Sequence, residues 1–282
     1  MKDKICIVTG GSSGVGKATV KGLAGSGAKV IIVSRNEIKA KKVIQDISRE
    51  TGNNNLHWMY SDLSNQESIR NFVSDFRKRF NYLNILANNA GIIHLKREET
   101  VDGIEKTLAV DYLSHFMLSN LLLDLLKKGS PSRIITVAGN PGLIRLVRID
   151  FEDIQMRKGY NGIKAAIQAA HARVIFSMEL AKRLAGTGIT SNTFQPGLVR
   201  TGMGNYQPSL IRFAAGLVQP LLSEECKTAV YLTTSDEVEN LTGKFFKKSK
   251  PVKFSYTNET GARLWKLSEN LTGINFQPKY NL

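Results

Sequence analysis

The sequence predicts an α/β fold of the doubly wound kind, a central parallel sheet of about seven strands with helices on both faces. Three observations predict it. Short, β-branched apolar runs alternate with longer amphipathic stretches. A glycine-rich turn joins the first apolar run to the first amphipathic stretch. The chain has 282 residues, 42% hydrophobic and 22% charged, an ordinary globular composition with enough length for one sizeable core. The same figures exclude disordered, collagen-like and disulfide-scaffold chains. No repeat, low-complexity block or linker divides the chain, so residues 1–282 are expected to form one domain.

The expected strands are 5–9, 30–34, 56–61, 85–88, 133–137 and 191–195, each a short run bounded by polar or glycine-containing segments. Helices fill the intervals. The first is expected to begin near Lys17, and the second to follow Asn36 as its cap, with Glu37 in its first turn. Residues 243–246 read as a last strand. Residues 258–270 read as a helix whose Ala262, Leu264, Trp265 and Leu267 supply apolar contacts. The least regular stretch is 202–223, where Leu210, Ile211, Phe213, Leu217, Val218, Leu221 and Leu222 sit among Gly and Pro, a lid-like insertion. A lid, a dimer contact and a peripheral membrane contact all suit that pattern.

Charge is the unusual quantity. Thirty-nine Lys and Arg against 24 Asp and Glu leave a net charge of +15. Nucleic acid is not an expected partner, because the basic residues (Lys39, Lys41, Lys42; Arg77, Lys78, Arg79) are spread over helices as solvated faces. Cys6 and Cys226 fit no metal spacing and no disulfide framework, so no metal is expected and a reducing compartment is. The chain enters its first strand without the charged and apolar regions of a leader, and no run of about 18 apolar residues spans a membrane. A cytoplasmic location follows as the expectation, and the sequons at Asn240, Asn258 and Asn270 read as chance.

The first expected strand leads into Thr9-Gly10-Gly11-Ser12-Ser13-Gly14-Val15-Gly16 and then a helix. Glycines there allow positive φ and close approach of the backbone to a pyrophosphate, and a helix N-terminus presents unpaired N–H groups at the positive end of its dipole. In this strand-turn-helix context the pattern predicts a dinucleotide-binding Rossmann arrangement. The second strand ends Val33-Ser34-Arg35, where preference for NAD would call for an acidic residue on the ribose 2′-hydroxyl. None stands there. Arg35 suits a 2′-phosphate, with Lys17 a possible second cation, so NADP(H) is favoured over NAD(H). The competing reading leaves Arg35 a solvated residue before the next helix.

Beyond the turn, Asp62-Leu63, Asn88-Asn89-Ala90-Gly91 and Pro196-Gly197 with Thr201 follow the third, fourth and sixth strands. With the turn, these motifs resemble the short-chain dehydrogenase/reductase family over nearly the whole chain. Glu179-Leu180-Ala181-Lys182-Arg183-Leu184, Leu241-Thr242-Gly243-Lys244-Phe245-Phe246 and Arg263-Leu264-Trp265-Lys266-Leu267-Ser268 are similar to its retinol-dehydrogenase-like branch. The resemblance implies a cofactor site of Gly10, Ser12, Ser13, Gly14, Val15, Gly16, Ser34, Arg35, Asp62, Leu63, Asn89, Ala90, Gly91, Val110, Val137, Pro196, Gly197, Val199 and Thr201. It also implies a homo-oligomer paired through helices at 108–126 and 165–184.

The catalytic positions implied by the resemblance are altered. Its Asn falls on Asp111, its Ser on Gly139, its Tyr on Ala166 and its Lys on Ala170, counting without gaps from Glu179-Leu180-Ala181. Tyr160 and Lys164 repeat the Tyr and Lys spacing six positions earlier. A shift of six residues turns a helix by about 600°, which leaves that pair on another face. Asp111 is the candidate proton donor, through burial that raises its pKa, against the alternative of a carboxylate hydrogen-bonded to helix backbone. His94 could line the substrate mouth, while His115 and His171 read as packed helix residues. The expectation is an NADP(H)-binding oxidoreductase-lineage enzyme for a hydrophobic small molecule, working by a non-standard route. A cyclase or isomerase on the same fold, or a non-catalytic binding protein, remains as the alternative.

Overall fold

The computed structural model describes residues 1–197, 199, 223 and 225–276. Within them one eight-stranded sheet has the order β3-β2-β1-β4-β5-β6-β7-β8. Its first half comprises β1 (Ile5–Thr9), β2 (Lys29–Ser34), β3 (Leu56–Tyr60) and β4 (Ile85–Asn88). The second half is β5 (Ser132–Val137), β6 (Ile189–Gln195), β7 (Phe245–Lys247) and β8 (Lys250–Val252). All neighbours are parallel except β7 and β8. The antiparallel β8 was absent from the expected set, because Lys-Pro-Val carries too little apolar pattern to register as a strand.

Every residue of β1 is buried, since helices cover both faces of the sheet. The two-residue period sorts its side chains. Ile5 and Ile7 join Ile31 and Val33 in one core, with α3 (Gln66–Arg79) contributing Phe72 and Phe76 and α8 (Gly162–Arg183) contributing Phe176. Cys6 and Val8 join Val30 and Ile32 on the other face. There they meet α1 (Gly14–Gly25), α2 (Glu37–Thr51) and α9 (Lys227–Thr234) through Leu23, Ile47 and Leu232. Both cysteines are free and buried. Asn36 caps α2 as expected, its side chain accepting from the Lys39 N–H at 2.8 Å.

Two departures from expectation shape the rest. The helix expected across 108–126 is four pieces: α4 (Lys106–Leu108), a π-helical turn over Ala109–Leu113, α5 (Ser114–Leu121) and α6 (Leu123–Lys128). Such wide turns break the regular ladder and recur at functional sites. The C-terminal helix α10 (Asn258–Thr272) lies over α5 and α8: the Trp265 ring is 5.2 Å from Phe116 and 5.7 Å from Phe176, and Tyr112 is hydrogen-bonded to Ser268. The helix pair implied as an interface between copies thus already buries Phe116 and Phe176 within one chain. The expected lid at 202–223 lies outside the described residues except for exposed Ser223, which bridges to Val199.

Candidate functional site

The order reverses between β1 and β4, and there the loops leaving the two strands diverge to open a crevice. A cavity of about 760 Å³ occupies it, within the range of small-molecule and cofactor sites. The turn after β1 forms one wall. Gly10 adopts φ +63° and Gly14 φ +52°. A Cβ on Gly16 would stand 2.3 Å from the Gly10 carbonyl oxygen, so helix α1 approaches the turn as closely as only glycine permits. Helix α1 begins at Gly14, three residues before the expected Lys17, which sets Gly14, Val15 and Gly16 in its first turn and against the cavity. Ser13 stands at the cap position and makes no side-chain cap bond. The leading N–H groups therefore face the cavity without a side-chain acceptor, the arrangement that a phosphate group completes.

At the end of β2, Ser34, Arg35 and Asn36 reach the same cavity, with Lys39 one turn into α2. Arg35 stands 3.8 Å from the Asp62 carboxylate and keeps half of its side chain exposed. Lys17 is not on the cavity wall; it acts on Glu50, whose carboxyl is held down mainly by its hydrogen bond from Lys21, with Lys17 adding to the field. Lys39, and not Lys17, shares the cavity wall with Arg35. It went unnoticed in sequence because a lysine on a basic helix looks like solvent decoration.

The middle of the cavity is built by β4 and β5. Thr9 Oγ1 accepts from the backbone N–H groups of Asn89 (3.0 Å) and Ala90 (3.1 Å), which fixes the Asn89-Ala90-Gly91 loop to the end of β1. Asp62, Leu63, Val110, Val137, Pro196, Gly197 and Val199 complete it, with Gly197 at φ +78°. The Asn89 side-chain oxygen is buried without a partner. Thus Gly10, Ser12, Ser13, Gly14, Val15, Gly16 and the other residues expected to hold a cofactor stand around one cavity. Thr201 lies outside the described residues.

The far end is lined by small residues. Gly139, Ala166 and Ala170 face the cavity beside Ile92, Ile93, Ile144 and Ile167. The atoms nearest a Cβ on Gly139 would be Ile144 at 3.6 Å and the Ala170 methyl at 3.8 Å, ordinary contact distances. Ala166 and Ala170 are one helical turn apart on α8 and share a face.

Tyr160 and Lys164 are elsewhere. Tyr160 precedes α8 and its cap residue Asn161, and its hydroxyl bonds to the His94 carbonyl and the Glu105 carboxylate, both at 3.0 Å. Burial pushes its pKa up to about 12, against a lowering contact from Thr107, and the Glu105 charge adds to the rise. Glu105 in turn accepts from the Thr107 and Leu108 N–H groups at the start of α4. This cluster ties the segment after β4 to the start of α8. Lys164 is exposed and off the cavity wall.

Asp111 sits on the π-helical turn, 3% exposed, and lines the far end. Its Oδ1 accepts from the Ile92 N–H at 2.8 Å; Oδ2 is 3.8 Å from Arg173 Nη2 on α8. The backbone donor is the loop after β4 and not the helix that carries Asp111, so the carboxylate spans two elements. Burial raises its pKa to about 7, outweighing the lowering from Arg173 and the Ile92 bond. His94 is on the cavity wall, 3.2 Å from Glu98. His115 is fully buried, its Nε2 bonded to the Ala90 carbonyl at 3.0 Å, and burial together with the Arg173 charge keeps it neutral. His171 packs edge-on against Phe254 and bonds to the Val147 carbonyl. Arg173 was missed in sequence: an Arg within a helix carries no motif, and its burial appears only in three dimensions. A second concavity of about 610 Å³ between β3 and α3 has no buried unpartnered polar side chain on its wall among the described residues.

This geometry agrees with comparison to known proteins. The sequence pattern of the short chain dehydrogenase family matches residues 4–209. Human polyprenol dehydrogenase is 35% identical over 285 residues, covering 96% of this chain and 86% of that protein. Bovine retinol dehydrogenase 12 is 36% identical over 282 residues, covering 97% and 88%. Among solved structures, a protein from Mycobacterium paratuberculosis superposes with TM-score 0.75 at 26% identity, covering 98% of this chain and 96% of its own. A short chain dehydrogenase from Burkholderia cenocepacia in complex with NADP gives 0.65 at 25% identity, covering 87% and 96%. The chain belongs to the short-chain dehydrogenase family of oxidoreductases and is related to retinol and polyprenol dehydrogenases.

Proposed function

We propose that this chain is an NADP(H)-binding enzyme of oxidoreductase lineage that acts on a hydrophobic small molecule without the family's usual Tyr, Lys and Ser. The observation that carries this reading is one cavity with two unlike ends: a glycine turn and Arg35 at one, and Gly139, Ala166 and Ala170 at the other. The uncapped first turn of α1 suits the pyrophosphate, and Arg35 with Lys39 suits a 2′-phosphate. The names of the relatives, retinol and polyprenol dehydrogenases, support an apolar substrate, as do Ile92, Ile93, Ile144 and Ile167 on the wall.

When bound, NADP(H) supplies or accepts a hydride. The chain's own part is to position the reactants and to manage the proton. Methyl and hydrogen side chains at 139, 166 and 170 leave volume for a bulky substrate. Burial raises the Asp111 pKa to about 7, which suits it to give or take a proton through Oδ2, the oxygen not engaged by Ile92. A positioned general acid contributes about 10²–10⁴-fold, so turnover without the usual phenol is slow unless Asp111 replaces it.

The test is a fluorescence titration with NADPH and NADP⁺, followed by the decay of NADPH absorbance with retinoid and medium-chain aldehydes. Binding with measurable turnover is the expected result. Absence of NADPH binding overturns the reading. Binding with no turnover across a broad carbonyl panel favours the second reading, a non-redox enzyme such as a cyclase or isomerase, or a binding protein, in the same widened cavity.

A further inference from the structure

We propose that Arg173 is the oxygen-binding group of the cavity's far end, donating hydrogen bonds to an oxygen on the half of the bound ligand remote from Arg35. The inference rests on the dinucleotide reading above and extends it to a residue that carries no motif.

Arg173 is 6% exposed and is one of the residues that line the cavity. Among the described residues its one ion-pair partner is Asp111, at 3.8 Å, beyond hydrogen-bond length, and its Nε is buried with no hydrogen-bond partner. A guanidinium has five N–H donors in a fixed fork, and a buried one is costly unless those donors are used. Asp111 spends Oδ1 on the Ile92 N–H and offers Arg173 only Oδ2, at 3.8 Å. The neighbouring His115 adds no negative charge, since its ring is neutral and spends Nε2 on the Ala90 carbonyl. The local set of Asp111, His115 and Arg173 is therefore an incompletely paired cation at the floor of a cavity.

Position adds direction. Arg173 lies three residues beyond Ala170 on α8, and long helical side chains lean toward the helix N-terminus, which carries the guanidinium toward the methyl of Ala170. The side chains of Gly139, Ala166 and Ala170 on this part of the wall carry no donor, and Lys106 on the same wall is already bonded to Glu98. An oxygen placed in that space, a ribose hydroxyl of the ligand's second nucleotide or the carbonyl or carboxylate of a substrate, would find Arg173 as its charged donor.

The experiment measures the affinity of the intact protein and of Arg173→Gln for two ligands: NADPH, and adenosine 2′,5′-bisphosphate, which carries only the half that Arg35 meets. Substrate KM is then measured for any aldehyde that turns over. Loss of a hydrogen bond to a charged donor predicts an NADPH affinity lowered by about tenfold or more, with the bisphosphate unchanged. That result places the oxygen on the second nucleotide. Unchanged affinity for both ligands with a raised KM places it on the substrate, and also supports the proposal. Equal loss for both ligands marks Arg173 as structural and overturns it, as does no change in any quantity. Arg173→Lys, which keeps the charge and loses the fork, serves if Arg173→Gln does not fold: an intermediate loss confined to NADPH or KM supports the proposal, and an affinity and KM equal to wild type overturn it. A wild type that binds neither ligand removes the dinucleotide reading and this proposal together.

Discussion

The two ends of the cavity are made by different means. The Arg35 end is made largely of backbone, glycines at positive φ and an uncapped helix terminus. The far end is made of what side chains omit, three small residues, and of one buried pair, Asp111 and Arg173, brought together from the π-helical turn and α8. Backbone devices tolerate little change, because no substitution preserves them. A wall of small side chains accepts many, so one fold can host different chemistries.

The sharpest way to break the first half of this contrast is Gly16→Ala. Its Cβ would fall 2.3 Å from the Gly10 carbonyl, so NADPH binding should be lost beyond measurement in titration, while circular dichroism retains the α/β spectrum. Arg35→Asp is expected to weaken NADPH by about tenfold and spare NADH, a moderate loss because the side chain is half-exposed. Equal weakening of both cofactors would separate Arg35 from the 2′-phosphate.

The far end can be sharpened through pH. The Asp111 pKa of about 7 lies above its unfolded value of about 3.9. Between those values the folded protein binds the extra proton, so this group makes stability fall as pH rises from about 4 to 7 and level off above. Denaturant unfolding across that window should show the slope in wild type and lose it in Asp111→Asn. A slope retained in the variant assigns it to other groups. The smallest effect belongs to Tyr160→Phe. Removing its hydroxyl from the buried Glu105 carboxylate should cost about 1–2 kcal/mol and lower the melting temperature by a few degrees, with NADPH affinity intact.

Much of this organisation was legible in sequence, for identifiable reasons. Strands such as Ile5–Thr9 and Ile85–Asn88 announce themselves through continuous apolar runs, and the turn from Gly10 to Gly16 through the only residue type its φ values and contacts allow. Counting back from Glu179 sets Ala166 and Ala170 one turn apart on one helix, and α8 runs unbroken to Arg183 with both residues on the cavity wall. What stayed hidden depended on tertiary contact. The π-helical turn at Ala109–Leu113 has no local composition to mark it, and Arg173 and Lys39 look like any helical cations until the fold shows one buried and the other at the cavity. Likewise, the amphipathic pattern of Asn258–Thr272 declared a helix but not that Trp265 would cover Phe116 and Phe176.

The central claim is that the wall opposite the glycine turn presents methyl groups where the family's phenol and amine would stand. Rates of NADPH consumption with a retinoid or medium-chain aldehyde, compared between wild type and the double variant Ala166→Tyr, Ala170→Lys, test it directly. A gain of about 10²-fold or more is expected in the variant, the contribution of a positioned general acid. A variant that folds, binds NADPH and gains nothing, beside a Tyr160→Phe protein that loses all turnover, would contradict it.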